Sequence, residues 1–303
     1  MFDWDDLRVF LAVARAGSTI AAAKVLGVSQ PTVQRRLVAF EQAIGRRLVE
    51  SHPTGYRLTD LGQAMLPQAE RIEEEVTAFE RGMASSDKGL TGTLKVTCAE
   101  GLGRGFLTPL LEAFRARYPA IQVELRMTDR FLDLAKGEAD IALRTREPSE
   151  GALVARKLAD IPWAVYASRD YVERRGRPER VEDLEHHAVI EFDGEMASHH
   201  ASRWLRTVAP SAAVAAHGDT LLGLVAAVRS GAGLAPLPVV LGEPEEELVR
   251  VLGPLPELQF NKMYLVMHRD LRRVPRVRAF CDFLVAEAAH FRPLLAGRTN
   301  GGR

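Results

Sequence analysis

The chain has 303 residues, 47% of them hydrophobic, enough to bury two or three separate cores, and its 40 basic and 40 acidic residues cancel, which excludes a general affinity for polyanions. Two cysteines far apart, Cys98 and Cys281, exclude a disulfide scaffold and favour a reducing compartment. No stretch approaches the roughly 18 apolar residues of a membrane span, and the acidic start Met-Phe-Asp-Trp-Asp-Asp lacks the features of a secretory leader, so a cytoplasmic protein without membrane contact is expected.

The first element expected is a helix over about 5–16, capped by Asp3 with Asp6 three residues on, its apolar face made by Leu7, Phe10, Leu11 and Ala14. Ser18 can cap an Ala-rich second helix that ends where Gly27 permits a positive φ. Ser29 then caps a third helix with Pro31 in its first turn, where a missing N–H costs nothing. So short a connection between two capped helices is that of a helix-turn-helix. On the third helix Val33, Leu37 and Phe40 recur at i, i+4 and i+7 and must face inward, which leaves Gln30, Thr32, Gln34, Arg35 and Arg36 outward. Gln can bond adenine through N6 and N7, Arg can bond guanine through O6 and N7, and the Thr methyl can touch thymine, so this face suits a major groove. Between positions 15 and 57 the basic residues Arg15, Lys24, Arg35, Arg36, Arg46, Arg47 and Arg57 face only Glu41 and Glu50, a local excess suited to phosphates.

The segment from Ser18 to Gly27, with Val28-Ser-Gln-Pro-Thr-Val-Gln-Arg-Arg-Leu37, Phe40-Glu41, Gly45 and Leu58-Thr59-x-x-Gly62, resembles the N-terminal domain of the LysR-type transcriptional regulators. The resemblance implies that Gln30, Pro31, Gln34 and Arg35 approach bases, while the helix N-termini, Ser29 among them, and a wing hold the backbone. The chain departs from the family pattern at Gln34, where Ser is common, and at Val49 and Ser51, where Phe and Arg are common; His52 or Arg57 would then take the wing's groove contact.

From Leu61 to about Ala84, Met65, Ala69, Ile72, Val76, Phe79 and Met83 follow a 4-3-4-3-4 spacing, the seam of a helix that needs a partner. Pro67 would tolerate only a kink or a late start. The polar run Ser85 to Gly92 is the expected domain boundary, after which the pattern alternates. Strands are expected at 93–98, 121–127 and 139–144, and helices at 109–118, 131–135 and 274–289, with further such units from Trp163 to Val266. The tail from Gly297 should fray.

The expected fold is therefore α/β with an N-terminal all-α winged helix-turn-helix domain (1–60) and a long linker helix (61–88) that dimerises. The resemblance implies a two-lobed, periplasmic-binding-protein-like (type II) effector domain over 92–303, with lobe I at 92–161 and 268–303 and lobe II at 162–267. Open sheets bind ligands beyond the carboxyl ends of strands, which selects Ala99, Glu100, Gly101, Leu102, Arg144, Thr145, Phe192, Asp219 and Thr220. Free N–H groups at Gly101 and Gly103 with Arg144 opposite would suit a small carboxylate. Arg144 could equally pair with Asp140 or Glu147.

Ser230-Gly-Ala-Gly-Leu-Ala-Pro-Leu-Pro238 is read as a tight turn, since its G-x-G lacks the third Gly of a dinucleotide fingerprint. His186-His187 and His199-His200 invite a metal reading, but adjacent histidines in a strand would point to opposite faces and no Cys or acidic ligand stands at a recognised spacing, so surface or loop histidines are expected and neither metal nor cofactor. Cys98 has no resolving partner and is expected to be buried and inert. The function implied is a regulator that binds double-stranded DNA as a homodimer or homotetramer under control of a small-molecule effector, with no catalysis. The alternatives are an α/β enzyme or a solute-binding protein with an accessory N-terminal module.

Overall fold

The computed structural model describes residues 3–53, 55–86, 89–128, 130–148, 151–258 and 261–295. Contacts divide the chain into two compact units, Met1–Met83 and Ala84–Arg303. Asp87 and Lys88 of the expected boundary and the tail from Gly297 lie outside the described residues.

The N-terminal unit holds α1 (Trp4–Ala16), α2 (Thr19–Leu26), α3 (Gln30–Ile44), the hairpin β1 (Val49–His52) and β2 (Gly55–Leu58), and most of α4 (Asp60–Ser86). Its caps fall where the side chains allow them. Asp3 accepts from Asp5 N, Ser18 from Ile20 N and Ala21 N, and Ser29 from Thr32 N, while Gly17, Gly27 and Gly45 end the three helices at positive φ. Val33, Leu37 and Phe40 are buried in one cluster with Phe10 and Leu11, the Phe10 and Phe40 rings 5.9 Å apart.

Two polar joints fasten the hairpin to the helices. Glu41 Oε1 accepts from Leu48 N at 2.7 Å and from Val49 N at 3.0 Å. Thr59 Oγ1 donates to Arg47 O at 2.9 Å and accepts from Gly62 N at 3.1 Å. A Cβ at Gly62 would stand 2.1 Å from Leu48 O, so only glycine lets α4 begin there.

Helix α4 runs unbroken through Pro67, so the late start does not occur, and it continues to Ser86, into the run expected as a break. Its seam divides. Ala69 is buried in the N-terminal core, whereas Met65, Ile72, Phe79 and Met83 are exposed, Phe79 at 68%. Arg15 ties α4 to α1, with Nη2 2.5 Å and Nη1 3.0 Å from the Glu73 carboxylate.

In the C-terminal unit, β3 (Gly92–Cys98) leads through α5 (Glu100–Leu102), a π-helical turn at Gly103–Leu107 and a 3-10 turn at Thr108–Leu110 into α6 (Leu111–Arg117); β4 (Ile121–Met127), β5 (Ile141–Arg144) and β6 (Leu153–Ile161) follow. Lobe II then contributes β7 (Trp163–Ser168), α7 (Arg169–Arg175), β8 (Ala188–Phe192), α8 (His200–Val208), β9 (Ala213–Gly218), α9 (Leu221–Arg229), β10 (Ala235–Pro238), α10 (Val239–Gly242) and β11 (Leu248–Leu252). The chain closes with β12 (Asn261–His268) and α11 (Pro275–Leu295).

The lobe I sheet has the order β4-β3-β5-β12-β6, parallel among β3, β4 and β5 and antiparallel where β12 enters. Phe114 of α6 packs edge-on against Phe280 of α11 at 4.8 Å, so these helices cover one face. Lobe II carries β10-β7-β11 and the parallel pair β8-β9.

Two expectations are corrected. Strand β12 pairs with β6 from Asn261 onward, so the chain returns to lobe I before Asn261 rather than near Met267. Residues 131–135 form no helix: Asp133 Oδ1 accepts from Ala135 N and Lys136 N, and Glu138 Oε2 from Asp133 N, a side-chain-bonded turn that drops Leu132 and Leu134 into a small core with Ala142 and Val266.

Gly62→Ala is expected to destabilise the N-terminal unit by roughly 1–3 kcal/mol, the scale of overpacking. Urea unfolding followed on a probe in that unit checks it, and an unchanged midpoint would mean that α4 can shift without cost.

Candidate nucleic-acid interface and ligand cleft

Ser29 Oγ lies 2.8 Å from Thr32 Oγ1, and Gln30 Nε2 donates to Thr19 Oγ1 at 3.3 Å. Pro31, Gln34 and Arg35 are exposed on the face opposite the buried stripe. Among the described residues Gln34 and Arg35 make no hydrogen bond or ion pair, so their polar groups are available to a ligand. Arg36 is turned the other way, its Nη1 3.2 Å from Asp5 Oδ2 and 3.7 Å from Asp6 Oδ1. The local excess of positive charge is correspondingly smaller than the sequence suggests, since Arg15 and Arg36 each meet acids of their own unit. On the hairpin His52 stands opposite Gly55 and Arg57 opposite Glu50.

The C-terminal candidates form two groups. A Cβ at Gly101 would lie 3.4 Å from Leu221 Cδ1 and 3.2 Å from Leu241 Cδ1, so Ala99, Glu100, Gly101 and Leu102 of lobe I abut the start of α9 in lobe II, beside Asp219 and Thr220. Thr220 caps α9 by accepting from Gly223 N. The Gly103 N–H is not free as expected: it donates to Ala99 O at 2.9 Å, and a Cβ there would meet Met127 Sδ at 2.3 Å. These glycines serve close packing. A Cβ at Gly233 would likewise reach within 2.6 Å of Ala188 O, so the Ser230 to Pro238 turn brings its strand against β8.

Arg144 is engaged within lobe I. Its Nη2 donates to Leu132 O at 2.7 Å and its guanidinium covers the Phe131 ring at 5.1 Å. Thr145 follows it on the same strand end. Phe192 is fully buried and supports the cleft rather than lining it, its ring 6.3 Å from Trp163 and 5.9 Å from His199.

His199 itself was missed as a site residue. The two histidines sit at the start of α8 rather than in a strand, His199 as its cap, with Nδ1 accepting from Ala201 N at 3.2 Å and the ring 4.9 Å from Trp163. Burial pushes its pKa down to about 4, and the charges of His200, Arg146 and Arg203 act in the same direction. Arg146 of lobe I thus lies close enough to His199 of lobe II to disfavour its charged form, as does Arg203 on the same helix as His199. Arg203 Nη2 contacts His200 Nδ1 at 2.9 Å, and neither Arg146 nor Arg203 has a carboxylate partner among the described residues. The signal for this cluster was the His199-His200 pair, which reads in sequence as surface or loop histidines. Cys98 is buried, and desolvation pushes its thiol up to about 12.

The family profile of the LysR substrate binding domain matches residues 87–289, and that of the bacterial regulatory helix-turn-helix protein, lysR family, matches residues 4–63. An HTH-type transcriptional regulator of Xanthomonas campestris pv. campestris is 33% identical over 296 residues, covering 93% of this chain and 85% of that protein. The structure of CrgA, a LysR-type transcriptional regulator from Neisseria meningitidis, superposes with a TM-score of 0.55 at 26% identity, covering 95% of this chain and 99% of that one. The full-length Vibrio cholerae virulence activator AphB shares the fold at a TM-score of 0.62 and 22% identity, over 94% and 99% of the two chains.

Because folding lowers the His199 pKa from 6.5, its neutral form is favoured: the stabilisation is complete above about pH 6.5 and is lost as pH falls toward 4. The ring resonances of His199 should therefore stay unshifted from pH 8 to 5.5, and His199→Asn, which keeps a cap, should flatten the acid-side loss of stability in the C-terminal unit. Titration of this ring near 6.5 would show that it is solvated. Cys98 should resist alkylation at pH 7.5 in the folded protein and react on unfolding.

Proposed function

This chain belongs to the LysR family of bacterial DNA-binding transcriptional regulators, with an effector-binding C-terminal domain, and on that premise we propose which of its residues do the work. Residues 1–60 act as the winged helix-turn-helix, 61–88 as the dimerisation helix and 92–303 as the effector domain. Gln30, Gln34 and Arg35 read base edges, while Ser29, Pro31, Thr32, His52 and Arg57 approach the backbone and the adjacent groove. The observation that carries this reading is the exposed, unpartnered pair Gln34 and Arg35 on the face opposite Val33, Leu37 and Phe40. Arg36 holds α3 to α1 and is assigned no base.

Self-association uses the exposed side of α4, where Ile72, Val76 and Phe79 line a shallow groove with Gln68, Arg71 and Glu75. Three heptads or fewer of unpaired apolar seam are better buried against a second copy than left in water.

The effector is a small anion such as a carboxylate. Its counter-charge is Arg146, with Arg203 and His200 opposite, since Arg144 is committed to Leu132 O and Phe131. No chemical step is required, and the relatives are named as regulators, so the chain is read as a non-enzyme. It works in the cytoplasm, where its DNA is; among the described residues no helix is long and apolar enough to cross a membrane.

Footprinting of the purified protein on DNA upstream of its own and neighbouring genes, over a salt series, tests the DNA assignment. Protection of a dyad with a steep salt slope is expected, and protection without sequence preference would remove it. Arg35→Ala should weaken operator binding by about 1–3 kcal/mol and relax one base position. In a thermal-shift panel of small carboxylates and their amides, only carboxylates should stabilise the protein, and Arg146→Gln should abolish that gain while leaving operator affinity intact.

A further inference from the structure

We propose that Thr19 is a positioning residue for base reading: its buried hydroxyl tethers the Gln30 side-chain amide in place and so sharpens the protein's preference at the base that Gln30 faces. This rests on Gln30 reading a base, as assigned above.

Thr19 opens α2 and is only 3% exposed. The cap of α2 is already provided by Ser18, which accepts from both Ile20 N and Ala21 N. The Thr19 hydroxyl is therefore not needed for the helix, yet a buried hydroxyl without a partner is costly. Its partner is Gln30 Nε2, at 3.3 Å, across the turn that joins the two helices. Gln30 is the first residue of α3, where a recognition helix meets bases.

A carboxamide recognises adenine with one edge: Oε1 accepts from N6, and the hydrogen on nitrogen cis to Oε1 donates to N7. The trans hydrogen takes no part. A tether to Thr19 through the trans hydrogen leaves the edge that matches adenine free. The bond also removes side-chain rotations that an exposed Gln would otherwise lose on binding. Gln34, one turn along the same helix, makes no hydrogen bond among the described residues and is not held in this way. Two glutamines on one face thus differ: Gln30 arrives tethered, and Gln34 adapts to what it meets.

The test uses the full chain. Preferred duplexes are selected from a randomised pool, and binding is measured to every single-base variant of the selected site for wild type, Thr19→Val, Thr19→Ser and Gln30→Ala. Melting temperatures are recorded for each, with Thr19→Ala replacing Thr19→Val should the latter lower the melting of the N-terminal unit.

Gln30→Ala identifies the base concerned. At that position alone Thr19→Val should lower discrimination by about three- to tenfold, the scale of one hydrogen bond, with the best-site affinity nearly kept. Thr19→Ser should restore it. Loss at the Gln30 position in Gln30→Ala but unchanged preference in Thr19→Val would overturn the positioning role, and so would a uniform weakening at all positions, which marks a structural effect. No positional change in Gln30→Ala would overturn the base-reading assignment itself, and this proposal with it.

Discussion

Burial of Val33, Leu37 and Phe40 in one cluster with Phe10 and Leu11 is the constraint from which the rest of the N-terminal unit follows. A helix with one stripe fixed in a core has its rotation about its own axis fixed too, so the residues of the opposite face are presented in a set direction. Polar groups then lock what apolar packing alone would leave loose. One oxygen of Glu41 collects two N–H groups at the start of the hairpin, Arg36 reaches back to Asp5 and Asp6, and Thr19 meets Gln30. The wing and the reading helix therefore move as one body with α1 and α2. Such rigidity suits recognition, because side chains that are already placed lose less freedom on binding.

The C-terminal unit follows a different logic. Its lobes meet through glycines: Gly101 against Leu221 and Leu241, and Gly105, where a Cβ would approach Val240 O within 2.7 Å. Arg146 and Arg203, which have no carboxylate partner among the described residues, both act on His199, whose ring packs against Trp163 and Phe192. Burial and these positive charges together disfavour the imidazolium, so the ring stays neutral beside them. On the proposed reading, an anion meeting both sides would draw the lobes together and shift their relative populations.

Much of this was legible residue by residue. Caps at Asp3, Ser18 and Ser29, the stop at Gly27, and the buried stripe of α3 depend on local backbone geometry and helical period, which a sequence displays directly. What failed to show were the partners. Arg36 and Arg35 are adjacent and chemically alike, yet one is paired with α1 and the other is not, because that depends on where Asp5 lies in space. Residues 131–135 have a helix-like apolar pattern, and only the turn bonds of Asp133 and Glu138 with the small core beneath them explain why no helix forms. The return to lobe I was displaced for the same reason: the pairing of β12 with β5 and β6 is a long-range register, invisible in the period of any one strand.

The sequence by itself determined the helix-turn-helix, the exposed polar face of α3, the long seam-bearing helix and the alternating strands and helices of the effector domain, since each is written in local spacing, capping chemistry and glycine placement. The tertiary structure decided which charged groups are spoken for. Arg144 is engaged by Leu132 O and Phe131, while Arg146, two residues on, acts on the charge of His199 in the other lobe; the difference arises because strand ends only acquire neighbours when sheets are assembled, and the energy of a charge depends on those neighbours and on its burial rather than on its place in the chain.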